Sequence, residues 1–127
     1  MRQEEIVDEI RKKCGNAELW PDMCWHFFYR RHHYVCMPHE REGLLRFCIP
    51  HLAKASEYDS ERLAKAINET NRNVKFIKTM TLNCGSVSLS YDHKTTPDEA
   101  TATIVPHIIN ALDFAAAYLL GKLGEPH

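Results

Sequence analysis

Residues 60–92, SERLAKAINETNRNVKFIKTMTLNCGSVSLSYD, hold a helix, its stop and a strand hairpin in one unbroken run. Asp59 or Ser60 can cap the open amides at the start, and Leu63, Ala64, Ile67 and Thr70 or Asn71 recur at helical spacing as an inward stripe. Asn71 to Asn73 ends the helix. Val74 to Leu82 then alternates as a strand, and Cys84-Gly85 turns the chain. Val87, Leu89 and Tyr91 form the inward face of the partner strand against Ser86, Ser88 and Ser90. The register is well specified, because a slip of one residue would bury the serines.

Downstream, Thr96-Pro97-Asp98-Glu99 reads as a cap, a proline at the first helical position and a capping-box acid. Ile108, Ile109, Leu112, Ala115, Ala116, Leu119 and Leu120 give that last helix a wide apolar face. Pro106 should kink or break it near Thr103 to Pro106, since an interior proline costs about 3 kcal/mol. Gly121 is the expected stop, with 121–127 a loose tail.

Upstream, Gln3 to Cys14 places Ile6, Val7, Ile10 and Cys14 at helical spacing, acids early and Arg11, Lys12 and Lys13 late, in the order that suits the helix dipole. Gly15-Asn16 stops it. After Pro21 a first strand points Cys24, His26 and Phe28 one way and Trp25, Phe27 and Tyr29 the other, the second set being the expected core face. Arg30 to His33 lacks glycine, which predicts a longer hairpin loop in place of a tight primed turn. Tyr34 to Pro38 returns, His39 to Gly43 turns, and Leu44 to Ile49 is a third strand that Pro50 closes.

The order is α-β-β-β-α-β-β-α. Short connections favour sequential antiparallel pairing, so the expected fold class is α+β: a single antiparallel sheet of about five strands with three helices segregated to one face. The 127 residues amount to one domain's worth and suffice for a core. With 44% hydrophobic and 26% charged residues the composition is globular, and the formal charge of -1 supplies no field to draw the chain to nucleic acid or a membrane. The segment Ala111 to Leu120 is half a span and carries Asp113, so it reads as a buried helix face. Met1 to Glu5 runs straight into a charged helix without a signal-peptide stretch, and the five cysteines are odd in number, so a reducing, cytoplasmic location is expected.

The order of elements, with AINETNRNVKFIKTMTLNCGSVSLSYD from Ala66 to Asp92 and IVPHIINALDFAAAYL from Ile104 to Leu119, resembles the YbjN-like proteins and the wider group sharing the type III secretion chaperone-like fold. The resemblance implies a small cytoplasmic bacterial protein, commonly dimeric, that holds another polypeptide or acts in regulation without catalytic residues. The group has no agreed activity to carry over, and no functional residue is transferred. The departure from it is the density of histidine and cysteine between Cys24 and His51.

That density is where chemistry could reside. Cys24-x-His26, His33-x-x-Cys36-x-x-His39 and Cys48-x-x-His51 offer soft and imidazole ligands on three adjacent strands, and Cys24, His26, Cys48 and His51 are the candidate zinc set. The competing reading is of buried cysteines and rim histidines. Arg30, Arg31, His32 and His33 could form a cationic tip that gains charge on acidification, or a solvated loop offset by Glu40 and Glu42. Asn68 and Asn71 share a helix face; they could bind a ligand, or bond the backbone where the helix ends. Asp8 with Glu9 and Asp98 with Glu99 fit capping and dipole roles, and no phosphate loop occurs.

These features lead to a non-enzymatic protein without a cofactor, a homodimer or client binder. Three helices cannot easily cover both faces of such a sheet, and Phe28 is left on the uncovered side. A small zinc-binding protein is the alternative.

Overall fold

Alternation along the first aromatic strand decides which side of the sheet becomes core. In the computed structural model, which describes Met1–His127, Phe27 is fully buried and Trp25 and Tyr29 pack against the same cluster, whereas Phe28 on the other side is 57% exposed. The core face read from sequence is the observed one. Around it lie α1 (Gln3–Cys14), β1 (Glu18–Leu19), β2 (Trp25–Tyr29), β3 (His32–His39), β4 (Leu44–Lys54), α2 (Ser60–Asn73), β5 (Ile77–Thr81), β6 (Ser86–Lys94) and α3 (Thr101–Leu123).

The strands form one antiparallel sheet in the order β1-β2-β3-β4-β6-β5. The α+β class, the three helices and the element order follow the expectation. The sheet has six strands because Glu18–Leu19 adds a two-residue edge strand, too short to show any alternation. Phe27, Tyr34, Phe47, Ile49, Val87 and Leu89 from the strands meet Ile6 and Ile10 of α1, Leu63 and Ala66 of α2, and Val105, Ile108, Leu112 and Leu119 of α3 in one core. By length and hydropathy α3 could cross a membrane. Its Val105, Ile108, Ile109, Leu112, Ala115, Ala116 and Leu119 are fully buried inside the protein, as a core helix requires.

Several local expectations are corrected. The β2–β3 connection is a tight two-residue turn: Tyr29 pairs with His32, and Arg30 and Arg31 both take positive φ, at 48° and 71°. A primed turn is therefore made without glycine or asparagine, at a cost of about 1–2 kcal/mol per left-handed residue. Pro50 does not close its strand, because β4 runs on to Lys54 through an irregularity between Ile49 and Ala53 that dispenses with the missing amide. In α2, Asp59 accepts a bond from the Arg62 amide as a cap, but the buried stripe is Leu63, Ala66 and Thr70, and Ala64 is exposed.

The last helix departs most. It starts at Thr101, with Ala100 at the cap position, because the Glu99 carboxylate is held in the preceding loop by His93 at 2.8 Å. Pro106 sits inside the continuous helix with no break. It falls in the second turn, where the carbonyl it cannot serve is that of Ala102, an exposed residue open to water. Gly121 does not stop the helix either: Leu123 is fully buried, and Gly124 at φ 69° donates to the Leu120 carbonyl at 3.0 Å. Residues 121–123 thus belong to α3, and the His127 amide donates to the Glu57 carbonyl at 2.9 Å.

Candidate polypeptide-binding surface

Strand register carries one row of residues across the side of the sheet opposite the core. His26 pairs with Val35, Val35 with Cys48, Cys48 with Ser90, and Ser90 with Lys78. None of the five belongs to the core cluster into which all three helices pack. The centre of this outer face is built of small side chains, Val35, Cys48 and Ser90, with the Arg46–Asp92 pair (2.8 Å from Nη2 to Oδ2) at one end.

The apolar weight of the face lies at its β1–β2 edge. The Trp20 carbonyl accepts a bond from the Met23 amide at 2.9 Å, closing a turn with Pro21 at its second position, and Met23 follows at φ 66°. The turn lays the Trp20 indole on the His26 ring, 3.6 Å between centroids and 7° from parallel. His26 and His33 follow at 5.0 Å, His33 and Phe28 at 5.0 Å, and Trp20 also lies 5.4 Å from His33, so the four rings form one stacked row with Trp20 over both histidines. Hydrogen bonds link the same groups: Asp22 Oδ2 to His26 Nε2 at 2.8 Å, and His26 Nδ1 to His33 Nε2 at 2.8 Å. The Cys24 amide, donating to Asp22 Oδ1 at 2.9 Å, holds the Asp22 carboxyl below its usual range, and His26 adds to this. Burial pushes His33 down, with the His26 charge second. Beside the row opens a cleft of about 620 Å³, lined in part by Arg11, Asn16, Trp20, His26 and Phe28. Trp20, Met23 and Phe28 account for three of the large exposed apolar side chains, with Met23 at 75%.

The zinc set does not assemble. No group of three or more His, Cys, Asp or Glu side chains is placed to hold an ion. Both ring nitrogens of His26 are engaged by Asp22 and His33, and His51 bonds the Ser86 hydroxyl at 2.8 Å. Burial raises the Cys24 thiol, and it pushes Cys48 up to about 11, away from the thiolate that zinc binds. Cys36 lies on the core side, and Cys84 is exposed, against the expectation of mostly buried thiols.

The cationic tip is partly dismantled as well. Arg30 reaches Asp113 of α3 at 3.3 Å and lies 5.4 Å over Tyr29, while His33 folds back into the aromatic row; Glu40 and Glu42 are not its partners. Asn71 proves to be a backbone clamp. Its Oδ1 accepts the Thr79 amide at 2.7 Å and its Nδ2 donates to the Thr79 carbonyl at 3.0 Å, occupying the free edge of β5. Asn16 does the same to Phe28 on β2, at 2.7 and 2.8 Å. Trp20 and Asp22 escaped the sequence reading because turn residues show no periodicity. The only available signal was that His26 and Phe28 share a face.

No protein-family model matches the chain, and no curated protein matches it. Among solved structures, a chain of the HopA1–SchA chaperone–effector complex is similar to it over 94% of this chain and 98% of that one, with a TM-score of 0.60 and 6% identity. At that identity the likeness concerns the fold. The class is thus a secretion-chaperone-like α+β fold with an uncovered sheet face.

Proposed function

We propose that this protein binds another polypeptide, without enzymatic activity, in a chaperone-like or regulatory capacity through the outer sheet face. The observation that carries the reading is the row Trp20, His26, His33 and Phe28, with Met23 beside it: apolar and aromatic surface on the side of the sheet that no helix covers. The fold shared with a chain of a chaperone–effector complex supports it. The same uncovered face gives a physical motive for a homodimer, and the finer reading is a cytoplasmic, bacterial, YbjN-like protein.

Two measurements on one preparation test this. Light scattering coupled to size exclusion, with metal analysis of the peak, should give a metal-free species near twice 14.7 kDa. Binding of a permanently unfolded probe, reduced and carboxymethylated α-lactalbumin, should be saturable and should fall at least tenfold in Phe28→Glu, a change at a side chain that is 57% exposed and outside the core. A chain with no affinity for the probe, or a variant equal to the parent, contradicts the proposal. A monomer with stoichiometric zinc does so too.

A further inference from the structure

The hydrogen-bonded chain at the β1–β2 edge has a limited capacity for protons. Asp22 is a carboxylate, so His26 Nε2 carries the hydrogen that it accepts. In the neutral pair, His33 Nε2–H donates to His26 Nδ1, and His33 Nδ1 stays bare. One added proton preserves the 2.8 Å contact in either arrangement. It can rest on His33 Nδ1, or on His26 Nδ1, which then donates to His33 Nε2 while the neutral His33 keeps its hydrogen on Nδ1. A second proton preserves nothing: Nδ1–H of His26 would face Nε2–H of His33, and two cations would stack with centroids 5.0 Å apart.

We propose that Asp22, His26 and His33 form a one-proton latch that keeps the Trp20–His26–His33–Phe28 row closed until acidification adds a second proton and expels His33. His26, at 6% exposed, cannot relax into water without moving the Trp20 ring stacked on it. His33 cannot leave without uncovering Phe28. The other titratable groups facing the pair are few. Glu18 of β1 lies opposite His26, Arg11 of α1 lines the same cleft, Cys24 precedes the strand, and Cys48 and His51 belong to β4. Asp22 favours the first proton, and the His51 charge opposes charge on His33. The consequence that acid remodels a binding face rests on the polypeptide-binding reading above; the latch itself does not.

Ring-proton NMR of the full chain without any partner, titrated from about pH 8 to about pH 4.5 across the histidine range, is the test. The hydrogen-bonded pair is expected to take up its two protons in separate macroscopic steps, because only the first preserves the contact between the rings. The Trp20 and Phe28 ring resonances, which sense any charge on the imidazoles stacked against them, should shift modestly in the upper step and lose their stacking-induced dispersion in the lower one. His33→Phe should abolish that step and the loss of Trp20 stacking that goes with it, whereas His51→Gln should retain both steps. Independent single-step titrations of His26 and His33, Trp20 and Phe28 resonances unchanged through both steps, or loss of the lower step in His51→Gln would overturn the latch. The parent titration decides the matter even where His33→Phe does not fold. A null result with the unfolded probe leaves it untouched.

Discussion

Asn71→Ala should be clearly destabilising for a polar substitution. The side-chain amide makes two bonds to Thr79, at 2.7 and 3.0 Å, both half-buried between α2 and the edge of β5. Each contributes roughly 1 kcal/mol net, and removing the amide also leaves the Thr79 N–H and C=O short of partners, adding about another 1 kcal/mol. The expected loss is therefore about 2–3 kcal/mol. With a urea slope of about 1–3 kcal/mol/M, the unfolding midpoint should fall by about 1–2 M at unchanged slope. Asn71→Asp should fare no better, because its second oxygen would face the Thr79 carbonyl. Asn68→Ala, with no bond in the structure, should stay within about 0.5 kcal/mol of the parent. An Asn71→Ala midpoint equal to that of Asn68→Ala would refute the clamp and return Asn71 to the status of a ligand-binding candidate.

Arg31→Gly should stabilise the fold by about 0.5–1 kcal/mol, relief of a left-handed arginine outweighing the added freedom of the unfolded chain; a lower melting temperature would contradict the strained turn. Phe27→Ala should cost about 3–5 kcal/mol and Phe28→Ala less than about 0.5 kcal/mol, a contrast readable by urea denaturation; similar costs would mean that the register is wrong. Arg46 holds the Asp92 carboxyl below its ordinary value, so the pair stabilises above the unfolded pKa of that group and the effect is lost as pH falls through the depressed one. Both side chains are over 40% exposed, so Arg46→Met should cost no more than about 1 kcal/mol at neutral pH. That difference should vanish in strong acid, and a constant difference at all pH values would remove the linkage.

The parts legible in the sequence were those in which one residue type repeats against a fixed period. Val87, Leu89 and Tyr91 against serines gave a strand its face and register, and Ile6, Val7 and Ile10 gave α1 its buried side. The misreadings share another cause: a local preference lost to a distant partner. Thr96 to Glu99 fits a capping box, yet it closes a separate turn, the Glu99 amide donating to the Thr96 carbonyl at 3.4 Å, with Glu99 tied to His93; Arg30 and Arg31 are poor primed-turn residues, yet Tyr29 and Asp113 receive Arg30. Pro106 is tolerated because the carbonyl it leaves unserved belongs to exposed Ala102, while Val105, Ile108, Ile109 and Leu112 around it are fully buried. The candidate site was legible only in part. His26 and Phe28 were placed on one face, but their union with His33 needs the β2–β3 register, and Trp20 with Asp22 arrives through a turn.

Amide hydrogen exchange with and without the unfolded probe tests the central claim most directly. Protection should appear around Trp20–Met23 and along the outer rows of β2, β3 and β4, with α2 and α3 unchanged. Protection confined to the helices, or none at saturating probe, would contradict it.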